Sequence, residues 1–471
     1  MLALPATCPV PAAASDLLLR AEPEIYAAVD KLYALGRLPG FLANTRPYSV
    51  EALRIAASRA LEGSDAGEFD DALARWVVHE TSEKYRLRTS VALAWSESAF
   101  VPRNNAGIPV PECVSATAEI AARADPSTHL GGHLSAAAVL GEGRADDEAL
   151  LDTAVEAGWR YFSIQAGKIS AWYGPGRHGA IIFSNNAPPF PGIRVHNREP
   201  IPLPGFLSFL GHFQYDMFVA RLDRDRPVPE PLLWGMRIAL RPSRFFEIGI
   251  SRSIQFGGEG RDESGSAWWD VFTGTRSETK DNGNQLAGAD LTLLLPFRIQ
   301  PVQLYLEAAG EDYNPNYRVV AVPYKYGWLA GVFLPSIGRN ARADLRLEAA
   351  TNHWEGRGPI WYVHPDYPHE YKGRILGHPM GTDATDFSAA FRYFLLPSSY
   401  LQAEFGLAKR HGSAWTEKIS RRGGVSLVAW LTRSVRVEGR AAWESAAENA
   451  GVREPDVLDG LAASAKLAFD L

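Results

Sequence analysis

Between Gly167 and Ile193 the chain concentrates groups that recognise polar, ring-shaped ligands. Trp172 and Tyr173 offer faces on which the C–H side of a pyranose can stack, taking apolar area of both partners out of water. Gly174, Pro175 and Gly176 mark a turn, Arg177 and His178 follow it, and Asn185 and Asn186 add amide donors and acceptors suited to hydroxyls. The same residues have a plainer use. Aromatics pack a lumen or sit in a membrane girdle, and consecutive asparagines stabilise turns. The segment reads as a strand running into an ordered loop.

Further groups along the chain bear on acidic sugars. Arg177, Arg237, Arg252 and Arg261 can each hold a uronate carboxylate bidentately. The competing use for each is an ion pair with Asp290, Glu307, Glu311 or Asp312. Carboxylate pairs such as Glu311 with Asp312, or Asp344 with Glu348, match in type what glycoside hydrolysis requires. They alternate with arginines, however, which keeps carboxyls ionised and suits a charge network better than a general acid. That network comprises Arg237, Asp290, Glu307, Glu311, Asp312, Arg342, Asp344, Arg346 and Glu348. The expectation is a non-enzymatic protein, with a glycan-active hydrolase as the lesser alternative. Of eleven histidines, His364, His369 and His378 share one loop without zinc-site spacing, so no metal or cofactor is expected.

The whole chain limits which scaffolds can position these groups. Its 471 residues and 51.6 kDa suit several globular domains or one large barrel with a small extra domain. A net charge of -6 provides no basic stripe for nucleic acid. Two cysteines cannot build a disulfide framework. No apolar run approaches the twenty residues of a transmembrane helix, a criterion that leaves barrels untouched because their strands are short and only half apolar. Residues 1–15 read either as a signal peptide truncated at its basic start, with Ala12 to Ala14 resembling a cleavage site, or as the disordered start of a cytoplasmic protein.

Residues 16–84 show helical spacing. Ile25, Val29 and Leu32 form one stripe and Gly36 stands where a left-handed cap would fall. Ser49 can cap a second helix through Leu61, and Phe69, Leu73, Trp76 and Val77 form the apolar face of a third. Three short helices make too small a core to stand alone and predict a bundle docked on something larger, a periplasmic plug if the remainder is a barrel.

From Tyr85 the period changes to two. Leu232, Trp234, Met236, Ile238 and Leu240 share one parity; Ala289, Leu291, Leu293 and Leu295 oppose Asp290 and Thr292; Leu345 and Leu347 lie between Asp344, Arg346 and Glu348. Greasy on one face and charged on the other, such runs fit a transmembrane β-barrel over residues 85–471, the alternative being a soluble β-sandwich whose polar parity faces water and which the density of interleaved Arg, Asp and Glu disfavours. Roughly sixteen to eighteen strands are countable, an even number being the rule for bacterial barrels. Leu461, Ala463, Ala465, Leu467, Phe469 and Leu471 alternate to the end like a closing strand. Trp234, Tyr324, Tyr326, Phe387, Tyr393 and Trp443 suit interfacial girdles. Pro242–Ser243, Pro296–Pro301, Gly338–Arg339 and Pro397–Ser398 fit short periplasmic turns, whereas 257–285, 352–381 and 410–421 fit long extracellular loops. Arg252 falls on the greasy parity, which places it near the rim.

The Gly167–Ile193 segment, with Arg237, the run Glu247 to Arg261, Ala287 to Asp290 and Gly310 to Asp312, resembles in order the blocks of the Wzi-type capsule assembly family. Leu35-Gly36 and Arg46-Pro47 resemble that family's start. The resemblance covers most of the chain. It implies an eighteen-stranded outer-membrane barrel with a helical bundle at its periplasmic end and a lectin-like role in holding capsular polysaccharide at the cell surface. Candidate polysaccharide contacts are then Trp172, Tyr173, Arg177, Asn185, Asn186, Arg252, Gln255 and Glu259. The partners expected are capsular or extracellular polysaccharide, outer-membrane lipid and the polysaccharide export machinery. A porin-like channel is the main alternative.

Overall fold

The computed structural model describes residues 22–62, 68–104, 108–142, 150–273, 283–311, 326–338, 340–354, 360–411, 418–447 and 460–470. Eighteen antiparallel strands close into a barrel. They are β1 (Tyr85–Ser96), β2 (Glu112–Ala124), β3 (Leu130–Glu142), β4 (Leu150–Trp159), β5 (Phe162–Ile169) and β6 (Phe190–His196). Next come β7 (His212–Arg221), β8 (Leu232–Ser243), β9 (Phe246–Phe256), β10 (Asn284–Leu295), β11 (Val302–Glu311) and β12 (Tyr326–Ile337). The last are β13 (Ala343–Thr351), β14 (Ala384–Leu396), β15 (Ser399–Arg410), β16 (Lys418–Trp430), β17 (Val435–Ala447) and β18 (Gly460–Asp470). Closure is made by β18 on β1, from Arg88 opposite Asp470 to Ser96 opposite Ala462, so no strand edge is left unpaired there.

The period of two sets what each face meets. Val91, Leu93, Ile250, Leu306, Leu347, Leu461, Leu467 and Phe469 point outward and are exposed, while Arg88, Asp290, Glu307, Asp344 and Glu348 point inward and are buried. An exposed aliphatic belt around a closed sheet is stable only against hydrocarbon. Among the described residues no helix is long and apolar enough to cross a membrane. Tyr326, Phe387 and Trp443 lie exposed on the outer face. Trp234 does not: a helix in the loop after β9, Gly265–Thr273, packs outside the barrel, where Trp268 meets Phe256 edge-on at 5.0 Å and Trp234 is covered in the same apolar cluster. Tyr324 and Leu471 lie outside the described residues.

Three helices precede the barrel: α1 (Pro23–Ala34), α2 (Val50–Glu62) and α3 (Glu68–Thr81). Gly36 has φ of +70°, and its N–H donates to the carbonyl of Tyr33, which ends α1 in a left-handed cap. Ser49 Oγ accepts the N–H of Ala52 at 3.0 Å and caps α2. Ile25, Val29, Leu53, Leu73 and Val77 share an apolar core with Leu294, Phe394, Tyr400 and Val428 of the wall, so the bundle seals its core against the barrel. It sits at the short-turn end, where Arg342, just before β13, lies 5.1 Å over the Phe69 ring of α3.

A second core lies inside the barrel. Phe218, Leu286, Tyr305, Leu329 and Phe333 from the wall enclose Tyr173, Ile181 and Phe183 from the β5–β6 connection, and Trp361, Tyr362 and Leu376 from the β13–β14 connection. Both long connections are therefore folded into the lumen, filling the half walled by β6 to β13.

Candidate functional site

The inserted β5–β6 connection is held by its backbone. Trp172 and Tyr173 pair antiparallel with Arg46 and Thr45, joining the loop to the segment after α1. Glu348 Oε1 and Oε2 accept the N–H groups of Arg177 and His178 at 2.7 and 2.8 Å. Glu307 Oε1 accepts that of Ile181 at 2.9 Å, and Glu311 Oε2 that of Tyr362 at 2.8 Å. Glu247 takes those of Ala43 and Asn44, both at 3.1 Å. Lumen carboxylates thus satisfy loop donors that would otherwise be buried without partners. Gly174, at φ of +138°, passes so close that an added Cβ would lie 2.5 Å from Glu307 Oε2.

Asp30 of α1 is the hub joining helix, loop and wall. Its carboxylate meets Arg46 Nη2 at 2.7 Å, Arg177 Nε at 2.9 Å and Arg346 Nη2 at 3.5 Å. Burial opposes ionisation here, yet Arg177, Arg46 and Arg346 outweigh it and hold this carboxyl well below the usual carboxylate range. Arg237 and Asp290 form a bidentate pair at 2.6 and 3.0 Å. Arg342 stands apart from this network, donating to the carbonyl of Leu395 at the short-turn rim, because it lies just before the strand, beyond the wall that lines the lumen. Asp312 lies outside the described residues.

The aromatic pair at the head of the loop does not face a ligand. Trp172 is buried, with Nε1 donating to the Gly176 carbonyl at 3.1 Å, and Tyr173 is buried, with its hydroxyl donating to Asp216 Oδ1 at 2.6 Å. Gln255 is also buried, accepting from Arg226 Nη2 at 2.8 Å and lying 3.3 Å from His369 Nδ1. Arg252 lies on the outer face towards the long-loop end, 6.0 Å from the Trp234 ring, and donates to Gln285 Oε1 at 2.7 Å. Glu259 is exposed in the loop after β9. Packing claims Trp172 and Tyr173 because their loop turns inward, a direction that local residue types do not encode, and Gln255 because Arg226 and His369 from other connections close over its place on β9.

What remains of the candidate set converges on a cavity. The other half of the lumen, walled by β1 to β4 and β14 to β18, keeps a chamber of about 920 Å³. Tyr26 and Asp30 of α1 lie at one end, and Asn185, Asn186 and Arg374 of the inserted loops at the other. Arg177 also lines it. Asn186 is fixed by Arg374, whose Nη2 donates to its Oδ1 at 3.0 Å, whereas Asn185 is only half-buried. The space exists because inward positions here are small: Ser90, Ala92 and Ala94 on β1, Gly424 and Ser426 on β16, and Ala462 and Ser464 on β18. Set among them are Glu119, Gln402, Glu404, Arg440 and Lys466. Sequence reasoning missed these; the available signal was the shrinking of the inward parity at both ends of the barrel sequence. Among the described residues no three His, Cys, Asp or Glu side chains are placed to hold a metal ion.

Three buried histidines of the inserted loops predict a pH dependence for the docking of those loops. His178 Nε2 lies 2.8 Å from Arg422 Nη2, whose other contacts clasp Asp386, and it accepts because a guanidinium can only donate. His378 Nδ1 accepts the Met380 N–H, and His369 Nε2 donates to the Ile182 carbonyl. Burial, with Arg422 next, pushes His178 down to about 3. Burial pushes His378 and His369 down to about 4, against the opposing pull of Asp386 on the first and of the Ile182 carbonyl on the second. Loops released to water regain the ordinary value of about 6.5. The released state therefore binds more protons below that value. Docking is fully favoured above about pH 6.5 and weakens by about 1.4 kcal/mol per pH unit per histidine as pH falls towards 4. Planar-bilayer conductance is expected to rise on acidification from pH ~7.5 to ~4.5. Replacing the three histidines by glutamine should flatten that rise, and an equally steep profile in the variant would contradict the assignment.

A family model described as Capsule assembly protein Wzi matches residues 83–465. A Klebsiella pneumoniae protein described as "Uncharacterized 55.8 kDa protein in cps region" is 34% identical over 171 residues, which is 34% of this chain and 34% of that protein. The chain thus aligns with about a third of that relative's length. Among solved structures, Wzi of Escherichia coli, an outer membrane protein involved in group 1 capsule assembly and a carbohydrate-binding β-barrel, superposes with a TM-score of 0.78. It is 19% identical, covering 97% of this chain and 99% of its own.

Proposed function

From the premise that this chain belongs to the Wzi capsule assembly family and resides in the outer membrane, we propose that it binds capsular or related surface polysaccharide and helps attach it to the cell. The observation carrying this reading is a barrel whose lumen is half filled by its own long loops and half left as a polar chamber. Loops and α1 are riveted together through Asp30 and the lumen glutamates, which favours a fixed lining over a freely conducting pore. The helical bundle acts as the periplasmic plug. The carboxylates that match hydrolysis in type have other duties, since Glu348 and Glu311 accept backbone N–H groups, so we assign a holding role and no reaction. That the related E. coli barrel is described as carbohydrate binding supports the ligand class. The test is the partition of polysaccharide between cells and medium in strains with and without the gene, in which loss of the protein moves material to the medium.

A further inference from the structure

Among the described residues, the chamber wall holds one arginine whose charge no partner takes up. Arg440 on β17 projects into the chamber, is exposed there, and makes no hydrogen bond or ion pair among the described residues. Buried or enclosed arginines elsewhere in this lumen are paired, as Arg177 is with Asp30, Arg237 with Asp290 and Arg422 with Asp386.

Its surroundings are those of a saccharide contact rather than of a bare anion site. In register, Arg440 lies opposite Ser426 of β16 and Ser464 of β18, and Ser426 lies opposite Gln402 of β15. One step towards α1, Lys466 is taken by Glu119 at 2.6 Å and Glu438 by Arg436 at 2.5 Å, so neither competes for Arg440. One step towards the loops stands Glu404, which accepts from Gln402 Nε2 at 2.5 Å and pairs with no cation among the described residues. A free phosphate or halide would meet Arg440 but be repelled by Glu404. A sugar carrying both hydroxyls and a carboxylate uses each group: guanidinium for carboxylate, and carboxylate, amide and serine hydroxyls for sugar hydroxyls. The chamber volume falls in the roughly 300–1,000 Å³ range of small-ligand sites, enough for one or a few sugar units.

We propose that this wall is a subsite for an acidic sugar unit, with Arg440 binding its carboxylate and Glu404, Gln402, Ser426 and Ser464 its hydroxyls. The subsite rests on the polysaccharide-binding reading and narrows the ligand to uronate-like chains.

The probes are tetragalacturonate and its carboxyl-reduced neutral counterpart, titrated calorimetrically into the full chain in detergent. Wild type should bind the acidic tetramer more tightly than the neutral one. Arg440→Gln should weaken acidic binding about tenfold and leave the neutral tetramer unchanged, and Arg440→Lys should restore most of the loss. Gel migration before and after heating reports whether each variant folds as a barrel, and the lysine variant separates lost charge from lost structure. Equal affinity of wild type for both tetramers, no binding of either, or undiminished acidic binding by Arg440→Gln overturns the subsite. Failure of the broader reading shows separately, as polysaccharide retention unaffected by loss of the gene.

Discussion

Replacing Asp30 by asparagine is expected to release the inserted β5–β6 loop, at a cost of about 3–5 kcal/mol, the scale seen when one partner of a buried ion cluster is removed. Arg46, Arg177 and Arg346 converge on this one carboxylate from three parts of the molecule: the segment after α1, the β5–β6 loop and the barrel wall. An amide leaves three largely buried guanidinium charges facing each other without their shared counter-ion. Because burial is outweighed by those arginines, the carboxyl stays ionised in acid far beyond the ordinary carboxylate range, so the clamp persists at mildly acid pH and is lost only as pH falls towards that depressed value. The variant should therefore behave at neutral pH as wild type does not, with raised planar-bilayer conductance and faster protease cleavage within 170–189. Asp30→Glu, which keeps the charge, should lie between. Wild-type-like conductance and protection in Asp30→Asn would show that the hub is not what fastens the loop.

The second large effect is expected at Glu348. Its two oxygens accept the backbone N–H groups of Arg177 and His178, and Oε1 also accepts the Tyr305 hydroxyl at 2.6 Å. Truncation to alanine strands three buried donors at roughly 1–3 kcal/mol each, enough to expel the loop while the barrel wall stands. Glu348→Gln keeps one good acceptor and should lose less. The measurement is hydrogen exchange at the Arg177 and His178 amides. Fast exchange in the alanine variant, with slow exchange retained across β1 and β18, is the expected pattern. Slow exchange at both amides would mean that other contacts hold the turn.

The barrel was legible because its physics is local. Alternation through Leu291 and Leu293, or Leu345 and Leu347, specifies strand, facing and lipid contact at once, and the closing strand ending at Phe469 reads off the same rule. The helix ends were legible for a similar reason, since Gly36 and Ser49 are caps whose geometry depends on neighbours one turn away. Arg252 was placed near the rim by parity alone.

Tertiary choices hid the rest. Nothing around Trp172 and Tyr173 states that the loop turns into the lumen, and that turn converts two presumed stacking faces into buried packing. Glu307 and Glu348 were expected to pair with arginines; they serve backbone donors from segments more than a hundred residues away. Asp30, an ordinary acid in an amphipathic helix, gave no local sign of its three partners. Trp234 fits a lipid girdle until the Gly265–Thr273 helix covers it. The chamber is made of absences, small residues on the inward parity of β1, β16 and β18, which no motif marks.

Cell-bound and shed polysaccharide, measured side by side, test the central claim most directly. The strains required are wild type, a gene deletion, and the deletion complemented with the intact gene. Unchanged total polysaccharide with a large shift from cells to medium in the deletion, reversed by complementation, is the predicted result. An unchanged ratio of bound to shed material in the deletion would contradict the account.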